Sequence, residues 1–162
     1  MSKHNNTFRG KARLDQEAEK YSDSVYGYFA HRKSRGFAPQ FGEYFFPAMI
    51  AACTDKKQSV IECKSSGKPV LLEYKSTCLL NEMKNSFGSI YKIEDLRTLS
   101  LEPKFPIGQC AEQHAANALL GRKVAKGHIS NIKTDIFFSK AIRPATGEVF
   151  PYCKNCSTLF DL

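Results

Sequence analysis

The chain has 162 residues, 42% of them hydrophobic and 12% aromatic, which is enough for one buried core and too few for two full domains. Lysine and arginine number 24 against 16 acidic residues, for a net charge of +8 and a pI near 9.2, so polyanionic partners such as nucleic acid or nucleotides fit, as does an acidic surface. The longest apolar runs, such as Phe45 to Cys53, are broken by Pro47 and too short for a bilayer; with no signal-peptide core at the basic start, a soluble chain without its own export signal is expected, acting in the cytoplasm.

Residues 1 to 36 carry eight basic against four acidic side chains and are read as a basic N-terminal extension, partly helical, ahead of a main domain spanning 37–162. Met1 to Gly10 is polar and ends on glycine, which predicts a mobile tail. Ala12 to Tyr28 has helix-compatible spacing. Gly36 to Gly42 reads as a connector, and the apolar stretch Glu43 to Cys53 as a helix with Pro47 in its first turn. Ser59 to Cys63 and Pro69 to Tyr74 are strand-like runs joined by Ser65-Ser66-Gly67-Lys68, which predicts an antiparallel hairpin. From Ser76 to Ile107 the pattern is mixed, with Leu79, Leu80 and Met83 at helical spacing and Pro103 and Pro106 closing the stretch; a substrate-lining loop is expected here.

The clearest helix is Cys110 to Leu120, rich in alanine and leucine and followed by Gly121. Thr134 to Ile142 is a nearly continuous apolar run, as expected for a strand covered on both faces and ended by Pro144 and Gly147. Cys153 to Leu162 then starts a last short helix. The order helix, strand, strand, helix, strand, helix predicts a layered α/β domain.

Six cysteines in a chain of this size include one C-x-x-C, and with no loop-dominated pattern around them they point to reduced thiols available to a metal. Gly108-Gln109-Cys110-Ala111-Glu112-Gln113-His114 opens one predicted helix and Pro151-Tyr152-Cys153-Lys154-Asn155-Cys156 opens the last. Helix N-termini favour the thiolate, which is the metal-binding form. Cys153 and Cys156, three apart, share a helical face, and Cys110 adds a third sulfur, leaving the fourth position of a tetrahedral zinc ion open for water. An open position distinguishes catalytic from structural zinc, because the metal makes hydroxide available near neutral pH. Glu112, two residues past the first ligand, is placed to shuttle protons.

C-A-E at a helix start, followed by a strand and then C-x-x-C at the next helix start, resembles the zinc-dependent nucleoside and nucleic-acid deaminases of the cytidine-deaminase-like fold, whose ligand set admits three cysteines. The basic extension, the long middle stretch and the three-cysteine set resemble most the bacterial polymorphic-toxin deaminases. The resemblance implies a three-layer α/β/α fold with a mixed central sheet, trimmed at the C-terminus because the chain ends six residues past Cys156. It also implies Zn2+ held by Cys110, Cys153 and Cys156, with Glu112 as the catalytic acid and base. The expected reaction is hydrolytic deamination of a nucleobase, cytosine favoured over adenine, in nucleic acid or nucleotides, with an immunity protein as a candidate partner. A free nucleoside or nucleotide deaminase is the neighbouring reading.

Blander readings stand beside these. Cys110, His114, Cys153 and Cys156 would also make a closed Cys3His structural site, in which Glu112 has no task and the chain is a zinc-stabilised nucleic-acid-binding module. Cys53, Cys63 and Cys78 fall in or beside apolar segments and are read as core packing. His4, His31 and His128 receive no role. Tyr21, Tyr26, Tyr28 and Phe29 suit either base stacking or core packing, and the cluster Phe37, Phe41, Tyr44, Phe45 and Phe46 suits packing first.

Overall fold

In the computed structural model, which describes residues 3–34, 47–67, 77–102 and 104–162, the N-terminal helix runs beyond the predicted limits. A single turn, α1 (Lys3–Asn6), precedes α2 (Lys11–Ser34). Leu14, Ala18 and Val25 recur at helical spacing and are buried, with Tyr21 and Phe29 packed beside them, so one stripe of α2 faces the protein and the rest meets water.

β1 (Ile50–Asp55) is buried at all six positions. This corrects the predicted helix over Glu43 to Cys53: a strand covered on both faces loses its alternation and reads as an unbroken apolar run. Residues 43–46 of that prediction, the connector Gly36 to Gly42 and the strand Pro69 to Tyr74 lie outside the described residues. β2 (Ile61–Ser65) pairs with β1 in antiparallel register, Cys53 opposite Glu62 and Ile50 opposite Ser65. The turn between them is tied by the buried Asp55 carboxylate, which accepts from the Lys57 amide at 2.7 Å, the Ser59 amide at 3.2 Å and the Ser59 hydroxyl.

The predicted strand Thr134 to Ile142 forms as two pieces, β3 (Ile136–Phe138) and β4 (Ala141–Ile142), both alongside β1. Cys53 faces Phe138 while Ile50 faces Ile142, so one extra residue is inserted at Ser139-Lys140, a β-bulge. Ser139 fills it: its amide donates to the Ala52 carbonyl and its hydroxyl accepts from the Ala52 amide, both at 2.9 Å. β5 (Val149–Phe150) pairs with β4, giving the order β2-β1-β4-β5 with β3 also beside β1. Among the described residues every pairing is antiparallel, which corrects the expected mixed sheet. Short turns after β1 and β4 return the chain directly, which makes the β1–β2 and β4–β5 pairs antiparallel.

Helices cover both faces of the sheet. On one side α2 packs on Ile50, Ala52 and Ile142. On the other, Cys53, Ile136 and Phe138 meet Leu79 and Met83 of α3 (Thr77–Phe87), Leu96 of α4 (Asp95–Thr98), Ala115 and Leu119 of α5 (Ala111–Leu120), Ala125 of α6 (Lys123–Lys126), and Leu159 and Phe160 of α7 (Lys154–Phe160). The chain is therefore α/β with an antiparallel sheet between helical layers. Among the described residues no helix is long and apolar enough to cross a membrane.

The basic N-terminal segment shares this core. Asn5 is 1% exposed; its Oδ1 accepts from the Phe138 amide at 2.7 Å and its Nδ2 donates to the Phe138 carbonyl at 3.2 Å. Phe8 stacks on Phe137 with centroids 4.1 Å apart. The predicted mobile tail is thus corrected for residues 3–10: polar composition hid an asparagine that completes the β3 backbone. Asn5→Ala strands the buried Phe138 amide, whereas the carbonyl keeps Lys11 Nζ at 2.6 Å. The substitution is expected to cost about 1–3 kcal/mol, read as a lower urea midpoint at unchanged slope; an unchanged midpoint would refute the assignment.

Candidate metal centre

Two helix starts meet here because the chain enters each through an extended residue. Cys110 caps α5 at φ −68°, ψ 146°, and Cys153 caps α7 at φ −69°, ψ 163°. At both, the cap side chain leaves the helix axis and faces the junction. Upstream of Cys110 the backbone turns at Gly108, whose φ of +88° strains any side-chain-bearing residue. The Gly108 amide donates to Gln113 Oε1 at 2.5 Å.

The sulfurs of Cys110, Cys153 and Cys156 all lie within 4.8 Å of one another, with Cys110 and Cys153 at 3.3 Å. The three cysteines singled out from sequence are therefore brought together, and they form a group that could hold a metal ion. Zinc keeps each sulfur at about 2.3 Å, which puts two sulfurs on one tetrahedral centre roughly 3.8 Å apart, so the donor set fits zinc in both type and spread. His114 is not a member of this group.

Electrostatics divides the three thiols. Hydrogen bonds from the Cys110 and Cys156 thiols, together with the Cys156 and Asn155 amides, lower the pKa of the Cys153 thiol against its burial. Cys110 is pushed well up by serving as donor to Cys153, and Cys156 is pushed up by burial. Glu112 is 5% exposed and its Oε2 lies 3.6 Å from Cys156 Sγ. Burial raises its carboxyl to about 7, and the Cys153 charge adds to the rise, while its own amide and the Cys156 thiol oppose it. A buried carboxyl poised near neutrality beside three thiols suits proton transfer.

Three residues that support the cluster escaped the sequence reading. Gln113, fully buried, donates from Nε2 to Cys156 Sγ at 3.6 Å while its Oε1 holds Gly108; glutamine as the third residue of a helix, reaching back, was the available signal. Asn155, inside the C-x-x-C, donates to Ser100 Oγ at 2.9 Å and to the Phe105 carbonyl at 2.8 Å, and accepts from the Leu101 amide at 2.9 Å. Nothing in the spacing announces that clamp, because its partners lie some fifty residues away. Tyr152 donates to the Ser139 carbonyl at 2.8 Å and accepts from Asn5 at 3.3 Å, which ties the start of α7 to the bulge and to α1.

An open depression of about 540 Å3 is lined by Ile93, Glu94, Leu96, Arg97, Thr98, Pro106 and Gln109; Gln109 is the chain neighbour of Cys110, and none of Cys110, Glu112, Cys153 and Cys156 lines it. Gln109 precedes Cys110 and its carbonyl accepts from the Gly67 amide at 3.1 Å. Tyr91 and Ile93 stand 88% and 74% exposed at the same segment. The stretch Ser76 to Ile107 contains α3 and α4, which corrects the expected loop there, and Ile93, Glu94, Leu96, Arg97, Thr98 and Pro106 of it line the depression.

The remaining cysteines and histidines lie elsewhere. Cys53 is fully buried and Cys63 half-buried; burial raises both, Cys63 to about 11, in keeping with packing. Cys78 is exposed, so the packing reading is corrected there: it sits in the first turn of α3, on its outer side. His128 Nδ1 contacts Asp55 at 3.2 Å and His4 meets the Phe137 ring edge-on. Tyr21 and Phe29 serve the core, whereas Tyr26 and Tyr28 are exposed. The cluster Phe37 to Phe46 lies outside the described residues. No protein-family model, curated protein or solved structure matches the chain, so its function is read from the chemistry of this site.

Proposed function

We propose that the chain is a zinc-dependent hydrolytic deaminase of a nucleobase, cytosine favoured, acting on nucleic acid or nucleotides in the manner of the polymorphic-toxin deaminases. The observation that carries the reading is the convergence of three cysteine sulfurs, from two helix starts, on a buried carboxyl 3.6 Å from one of them. Helices on both faces of a central sheet are the feature shared with the three-layer fold that the resemblance implies.

Cys110, Cys153 and Cys156 would hold the ion. Zinc bound there supplies a Lewis acid that brings the pKa of a water molecule toward neutrality. Glu112, half-protonated near neutral pH, takes a proton from the attacking water and passes it to the ring nitrogen as oxygen bonds to the amine-bearing carbon. It then moves the second proton to the exocyclic nitrogen as that C–N bond breaks. The sum is base plus water giving keto base plus ammonia. Burial of Glu112 keeps bulk water from short-circuiting these transfers. Asn155 fixes the 100–105 segment beside the site, and Gln113 orients Cys156; both are positioning residues.

The test is to incubate zinc-loaded protein with single-stranded DNA, single-stranded RNA, CMP, cytidine and adenosine, and to measure ammonia together with the mass change of the base. Release of one ammonia per converted base is expected. Turnover of CMP and cytidine alone would favour the small-nucleotide reading, and no turnover of any of the five would end the proposal.

A further inference from the structure

Besides the N-terminal segment, a second basic run lies at one end of the sheet, toward the end of α5 opposite the sulfur cluster. From Leu120 to Thr134 the sequence carries Arg122, Lys123, Lys126 and Lys133 and no acidic residue. α6, which contains two of these lysines, packs on β1, and the His128–Asp55 contact at 3.2 Å brings the segment following α6 against the β1–β2 turn. That turn carries Lys56 and Lys57. Lys56, Lys57, Lys123 and Lys126 are all exposed, and among the described residues none of the four enters an ion pair.

The acids nearby are already occupied. Asp55 is buried, with its oxygens taken by the turn and by His128. Glu62 pairs with Arg122 at 3.4 Å. Asp135 accepts from the Ser130 amide and hydroxyl and from the Asn131 amide. Four lysines therefore share one region in which Asp55 is buried and Asp135 is already acted on by the Lys56 charge, which leaves a positive excess that favours an anion.

We propose that Lys56, Lys57, Lys123 and Lys126 form a binding surface for the phosphate backbone of a single-stranded nucleic acid. Lysine is depleted from protein–protein interfaces, whereas phosphate oxygens accept it as a point charge with little demand on geometry; that favours nucleic acid over an acidic protein. The surface lies toward the C-terminal end of α5, whose ten residues span about 15 Å from the sulfurs at its N-terminal end. A strand held here can therefore reach the cluster within a few nucleotides. Phosphate binding stands apart from the chemistry of the cluster, and only the choice of a single strand rests on the deaminase reading, which needs an unstacked base.

The experiment uses the full zinc-loaded chain and a short fluorescent single-stranded oligonucleotide of mixed sequence, with anisotropy recorded over a salt series. The variant Lys56→Glu/Lys57→Glu/Lys123→Glu/Lys126→Glu is expected to bind about tenfold or more weakly near physiological salt, and to flatten the plot of log affinity against log salt by roughly 0.7 for each phosphate it no longer neutralises. A control with the same charge change, Arg9→Glu/Arg13→Glu/Lys20→Glu/Lys84→Glu, should fall by less than about threefold. Equal weakening of both, with matching thermal melts, would mean that net charge alone governs binding and would overturn the proposal, as would no weakening of either. A duplex competing as well as the single strand overturns the choice of strand. Loss of binding in the patch variant, with no turnover of any nucleobase substrate by the unsubstituted chain, would leave this surface standing and remove the deaminase reading.

Discussion

Glu112→Gln is expected to slow ammonia release by about 10²–10⁴-fold while the protein keeps one metal ion per chain. The amide preserves the shape of the side chain and its place 3.6 Å from Cys156 Sγ, yet it can neither take nor return a proton. The same variant has a second readout in metal-free protein. Burial raises the folded carboxyl from 4.5 to about 7, so folding holds the proton more tightly than the unfolded chain does. The stability this group contributes is fully present below about pH 4.5 and is lost as pH rises through about 7. Wild-type protein should therefore lose roughly 1–3 kcal/mol across that window, and the glutamine variant should not. Denaturant melts at a series of pH values check the difference. Undiminished turnover in the variant would remove Glu112 from the mechanism, and parallel pH curves would remove the buried, neutral carboxyl.

Cys153→Ala should empty the metal site. The Cys153 thiol has its pKa lowered by hydrogen bonds from its two thiol neighbours and the amides at the start of α7. Its removal leaves two sulfur ligands where three lay within 4.8 Å of one another. Metal affinity is expected to fall beyond the roughly 10–100-fold that accompanies loss of a merely supporting residue, read as metal content after dialysis against a competing chelator. His114→Ala should retain the ion, because His114 stands outside the sulfur group. Cys110→His should also retain it, since a histidine nitrogen serves zinc as well as a thiolate does. The reverse pattern, with metal lost from His114→Ala and Glu112→Gln silent, would describe a closed structural site in a non-catalytic module.

The site was legible where a motif sits at a helix start. C-A-E and C-x-x-C each open a helix with a strong compositional signal, so convergence of Cys110 with Cys153 and Cys156 could be inferred from two helices flanking a strand. The fold was legible where burial is one-sided, as in α2 with its stripe of Leu14, Ala18 and Val25. It was misread where burial is complete: β1, buried at every position, presents no alternation to distinguish it from a buried helix. The bulge at Ser139-Lys140 was hidden because an inserted residue leaves composition unchanged. Asn5, Gln113 and Asn155 were hidden for a different reason. A polar side chain buried by long-range hydrogen bonds has the same letter as one in water, and only its partners tell them apart.

Asn155 has a further consequence through its position between two ligands. Its side chain closes three hydrogen bonds onto Ser100, Leu101 and Phe105, while Cys153 and Cys156 on either side would be fixed by an ion. Occupancy of the centre and order at Ser100, Leu101 and Phe105 are thereby linked: whatever free energy binds the ion also opposes local opening of these residues. By reciprocity, anything that tightens this segment strengthens the hold on the ion, and chelation loosens the segment.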